Sequence, residues 1–74
     1  MVADVAKGMD RLIEVIVHSI PRERESRDVY LAAARGAPTE MTRLLFERLA
    51  QDEEGHETKL RAVLQLLQQA SARG

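Results

Sequence analysis

The chain has 74 residues, a formal net charge of −1 and no cysteine. That length allows one domain, and the missing cysteine excludes a disulfide frame, a thiolate metal site and a redox thiol. Acids and bases are mixed along the chain, with one Tyr, one Phe and no Trp; this excludes the basic face and stacking aromatics of a nucleic-acid binder, and no apolar run reaches the ~18 residues of a membrane span.

The N-terminus, M-V-A-D-V-A-K-G-M-D, lacks the apolar core of a signal peptide. A first helix is predicted from about residue 8 to 35. Its apolar stripe reads Leu12, Ile16, Ser19 or Ile20, Glu23, Ser26 or Arg27, Tyr30, and Ala33 or Ala34, at steps of three and four. Pro21 falls inside it. A proline in a helix interior removes one backbone hydrogen bond and crowds the preceding turn, at a cost of ~3 kcal/mol. Because the apolar period carries through Pro21, one kinked helix is expected rather than two.

The turn is G-A-P-T at 36–39. Gly36 is expected in the left-handed conformation that ends a helix, Pro38 cannot continue one, and Thr39 or Ala37 would cap the next. A second helix is predicted over about 39–70, with the stripe Phe46, Leu49, Glu53, His56, Leu60, Val63 and Leu67. Most arginines have an acid three or four residues away: Arg24 with Asp28, Arg43 with Glu47, Arg48 with Asp52, Arg61 with Glu57. These pairs read as solvated helix faces. Gly55, beside His56, is either a tolerated weak point or room for something large.

The fold expected is all-α: a two-helix antiparallel hairpin. A hairpin shares one seam and leaves the rest of each stripe wet, so self-association is expected. Two copies would form a ferritin-like four-helix bundle, a homodimer.

The stripes carry three polar residues where leucine would be expected. Counted from the turn, Glu23 on the first helix and Glu53 and His56 on the second fall at about one height. A two-fold axis would gather two copies of each in one core, four carboxylates and two imidazoles. That is the ligand set of di-iron and di-manganese carboxylate bundles. Oxygen and imidazole ligands suit iron, manganese or zinc, and burying such charges without a compensating ion would cost several kcal/mol. The rival reading makes them buried polar specificity elements of a structural oligomerisation hairpin. A third is a metal-binding module without turnover. Tyr30 is either a second-shell group reaching back toward the site or a core tyrosine. Glu25, Asp52, Glu54 and Glu57 are mainly solvated, with Glu25, Glu54 and Glu57 as candidates for guiding cations inward. His18 points to a different face.

E-R-E-S-R-D-V-Y at 23–30, followed by E-E-G-H at 53–56, resembles half-size members of the ferritin-like superfamily. It is similar to encapsulated ferritins, with the rubrerythrin domain a wider relative, over about residues 12–67. The resemblance implies a dimer that can assemble into a ring such as a decamer. It implies Glu23, Glu53 and His56 as catalytic iron ligands from both subunits, two irons per dimer site, with Tyr30 second shell. The implied activity is ferroxidase, Fe(II) oxidised by dioxygen or peroxide, in the cytoplasm or inside an encapsulin shell. Asp28 fits the encapsulated type. Three features depart from it: Arg22 stands where another acid is frequent, Gly55 where a charge is usual, and the tail Q-L-L-Q-Q-A-S-A-R-G holds no recognisable shell-loading peptide. The lack of cysteine also excludes an attached rubredoxin-type site.

Overall fold

The protein was described with a computed structural model, which covers residues 2–73, with side chains over 5–72. It is an all-α hairpin of two helices, α1 (Val2–Arg35) and α2 (Glu40–Arg73). Each is longer than its apolar stripe. Residues 2–7 join α1 ahead of the expected start near residue 8, because V-A-D-V-A-K contains no helix breaker and Gly8 costs only about 1 kcal/mol against alanine. At the other end α2 continues past residue 70 through Ala-Ser-Ala-Arg. Neither helix is long and apolar enough to cross a membrane.

α1 runs unbroken through Pro21. Pro21 and Val17 are both exposed, so the carbonyl that loses its donor, that of Val17, lies on the wet side of the helix, where water can replace the missing amide.

The turn closes differently from the sequence expectation. No described glycine has a positive φ; Gly36 does not adopt the left-handed conformation. Instead its amide donates to the Ala32 carbonyl at 3.3 Å and the Ala37 amide to that of Ala34 at 3.2 Å. The last turn tightens and Pro38 then stops the helix. Thr39 is the cap of α2. The Thr42 amide donates to Thr39 Oγ1 at 3.1 Å and the Thr39 amide to Thr42 Oγ1 at 3.3 Å, a reciprocal capping box with threonine in the usual Glu position. Glu40 adds a negative charge to the first turn, favourable at a helix N-terminus.

The seam between the helices follows a strict three-four alternation on both sides. On α1 it runs Ile13, Ile16, Ile20, Glu23, Arg27, Tyr30, Ala34; on α2 it runs Phe46, Ala50, Glu53, Glu57, Leu60, Leu64, Leu67, all buried or half-buried. Ala34 and Ala50 are small and buried in the seam, and Tyr30 and Phe46 pack with ring centroids 6.4 Å apart. On α2 this corrects the predicted stripe at every second step. Leu49, His56 and Val63 lie on the flank, and Leu49 and Val63 keep 40% and 42% of their surface exposed. A stripe wide enough for two neighbours has one edge toward α1 and one edge toward nothing in this chain.

A lone hairpin therefore has little interior. Among the described residues only Ile20, Ala34 and Ala50 are buried. The molecule measures 57 × 14 × 13 Å with a radius of gyration of 16.9 Å, against roughly 11 Å for a compact domain of this length.

Candidate metal centre

Antiparallel pairing of α1 and α2 brings residues 23–24 level with residues 53–57. Three side chains converge there. His56 Nδ1 lies 3.3 Å from Glu23 Oε2 and 3.5 Å from Glu53 Oε1. One ligand atom from each of Glu23, Glu53 and His56 falls within 4.8 Å of the others. Helix geometry explains the assembly: Glu53 and His56 are one turn apart on α2, and Glu23 reaches them from the facing seam position. The two carboxylates are half-buried, with side-chain exposures of 24% for Glu23 and 17% for Glu53, whereas His56 is 54% exposed. The sequence reading placed all three in the hairpin seam. His56 instead stands at its edge, facing the side left open by this chain.

The electrostatics of the cluster favour a cation. The Glu53 carboxyl is held above its ordinary range, first by a hydrogen bond shared with Glu23, then by burial and by the charge of Glu23; His56 pulls in the opposite direction. Two carboxylates this close repel each other, and a bound cation would relieve that repulsion. Two oxygen donors and one imidazole nitrogen, preassembled and short of positive charge, fit iron, manganese or zinc. Beside the cluster an open cleft of about 260 Å³ is lined by Glu23, His56, Lys59, Leu60 and Val63.

The family model for rubrerythrin matches residues 3–72. The chain belongs to the rubrerythrin family. That places it among ferritin-like proteins that typically bind iron and are often iron-dependent oxidoreductases. Comparisons with curated proteins and with solved structures give no match. In this rubrerythrin-family hairpin the converging residues are Glu23 and the Glu53-x-x-His56 pair singled out from the sequence.

The other candidates are placed as follows. Tyr30 lies in the seam with its ring against Phe46. Glu25 and Glu54 are exposed. Glu57, read from sequence as a mainly solvated partner of Arg61 and a candidate for guiding cations inward, keeps the Arg61 pair and gains a second arginine. It accepts from Arg24 Nε at 3.0 Å across the seam and from Arg61 Nε at 2.8 Å along α2. The hydrogen bonds from Arg24 and then Arg61 hold its carboxyl down to about 2, against the opposing effect of burial. Asp52 pairs with Arg48, and Arg43 with Glu47, as expected. Arg24 does not pair with Asp28, because the cross-seam Glu57 takes it. His18 is exposed and outside the cluster. A Cβ at Gly55 would meet nothing within 4 Å, so this chain makes no use of the space there.

Lys59 escaped the sequence reading, where Arg27 is an alternative to Ser26. Lys59 follows His56 by one turn, a spacing that would have placed it beside the site. Arg27 was one of two options for its stripe position, and only the packing selects it.

Proposed function

We propose that this chain is one half of a dimeric di-iron centre that oxidises Fe(II). The observation carrying this reading is the convergence of Glu23, Glu53 and His56 from two helices into one donor set, in a chain of the rubrerythrin family. Three side chains supply too few ligands for two irons. A second hairpin, applied to the open side on which His56 stands, would double the set to four carboxylates and two imidazoles, the complement of di-iron carboxylate bundles.

The surface supports a second copy as that occupant. Leu45, Leu49 and Val63 share the His56 flank of α2 and are exposed, and Leu12 on the Glu23 line of α1 is 51% exposed. The 8.3 kDa chain exposes 5806 Å², about 1,200 Å² more than the ~4,600 Å² typical of a folded monomer of that mass. A standard interface removes ≈ 800 Å² from each partner.

In the mechanism, Glu23 and Glu53 would supply hard anionic oxygen ligands to the Fe(II) substrate. His56 would supply an imidazole nitrogen. Leu60 and Val63, joined by the partner's apolar flank, exclude bulk water. Bound iron supplies the redox chemistry, each Fe(II) losing one electron to dioxygen or peroxide. Manganese or zinc would occupy the same donors without that turnover. Assembly of dimers into a ring, and residence in the cytoplasm or an encapsulin shell, extend the reading by family resemblance.

The test is Glu53→Ala. Elemental analysis and anaerobic Fe(II) titration of the unaltered protein are expected to give near one metal per chain, with oxidation followed by absorbance. Glu53→Ala is expected to lose both binding and oxidation while keeping its helical circular dichroism. An unaltered protein that neither retains nor takes up metal overturns the reading.

A further inference from the structure

The seam position one turn after Glu23 is occupied by a cation. Arg27 is half-buried, with 30% of its side chain exposed, and follows Glu23 by four residues. Glu followed by Arg at i,i+4 is the favoured orientation for a helical ion pair, and Arg43 shows that this chain's arginines do take acids at that separation. Left to local preference, Arg27 would pair with Glu23 and neutralise one of the two carboxylates of the cluster.

That pair is not formed. Arg27 Nε and Nη2 both donate to Asp28 Oδ1, each at 3.1 Å. Asp28 is available because Arg24, its partner by spacing, is drawn across the seam to Glu57. Glu23 Oε2 is then left to face His56 Nδ1. The arginines around the cluster are thus distributed over acids that do not belong to it: Arg24 and Arg61 on Glu57, Arg27 on Asp28.

We propose that Asp28 is a positioning residue that holds the Arg27 guanidinium away from Glu23, keeping the Glu23 and Glu53 pair free for a cation. This rests on the metal-centre reading above and adds to it a residue that touches no ligand atom. A guanidinium on Glu23 would have to be displaced before a metal could bind, and it would repel that metal electrostatically. Without the Asp28 charge, Glu23, one turn earlier on the same helix, is an acid at the spacing Arg27 can take.

The experiment is calorimetric titration with Zn(II), which binds without redox turnover, on the full chain and on Asp28→Asn, Asp28→Glu, Arg27→Gln and the double variant R27Q/D28N. Asp28→Asn is expected to weaken Zn(II) binding roughly tenfold, the range in which outer-shell groups act on metal sites. Asp28→Glu, which keeps the charge, is expected to retain the unaltered affinity. The double variant is expected to recover it, because no guanidinium is left to restrain. Asp28 is two-thirds exposed, and circular dichroism checks that each variant is folded. If Asp28→Asn binds as the unaltered chain does, or the double variant stays as weak as Asp28→Asn, the positioning role is wrong while the metal centre stands. If the unaltered chain binds Zn(II) no better than Glu53→Ala, the metal centre itself falls, and this role with it.

Discussion

Glu57 accepts from two guanidinium groups on two helices, and its carboxyl is held down to about 2 from an ordinary 4.5. A group whose folded-state pKa is depressed contributes stability that is fully present above its unfolded value and is lost as pH falls through the folded one. The Arg24–Glu57–Arg61 bridge should therefore tie α1 to α2 undiminished above about pH 4.5 and release it on the way down to about pH 2. Thermal melts of the unaltered chain are expected to fall steeply in that window, and those of Glu57→Gln to start lower at neutral pH and fall less steeply. Equal slopes for the two proteins would remove the bridge as the cause. Glu53 behaves in the opposite sense. Its raised carboxyl favours the protonated form, so the free hairpin is strained by deprotonation there and a bound cation would relieve it. Two glutamates four residues apart on one helix thus have opposite environments, one supplied with arginines and the other kept from them.

At the scale of the helix, Pro21 is the clearest fault in α1. It sits on the exposed side, where its ring meets solvent and its missing amide orphans a carbonyl that water can reach. Pro21→Ala restores a donor and relieves the crowded turn. The melting temperature is expected to rise, with a gain of up to ~3 kcal/mol, and Zn(II) affinity is expected to be unchanged because Pro21 and the cluster face different ways. A lower melting temperature would mean that the proline sets a bend on which the packing of Ile16 and Ile20 depends. Arg27 and Asp28 show why the element scale needs packing as well as spacing. The i,i+4 rule correctly anticipated the Arg43, Arg48 and Arg61 pairs, all confined to α2. It failed for Arg24, which has a better-placed acid on the other helix.

As a whole molecule, the hairpin is a rod with one dry line and an apolar flank. The radius of gyration and the three buried side chains describe an elongated hairpin with almost no interior of its own. Leu49 and Val63 each lie one heptad from His56, so the flank that would cover the metal centre is also the flank that would bind a second copy. Leu49→Glu is expected to shift the protein from dimer toward monomer in analytical ultracentrifugation and to weaken Zn(II) binding in parallel. A monomeric unaltered protein that binds a full complement of metal would separate assembly from the site and remove the dimer from the proposal.

The sequence by itself determined the two helices, the turn and the height at which Glu23, Glu53 and His56 meet, because helical period and distance from a turn are properties of the chain alone. Tertiary structure decided which edge of each stripe became the seam. Leu49, His56 and Val63 fit the period as well as Ala50, Glu57 and Leu64 do, and only the rotation of one helix against the other separates them. It also decided the ion pairs. Asp28 and Glu57 are both within reach of Arg24, and the choice depends on a cross-helix distance that no spacing along one helix contains.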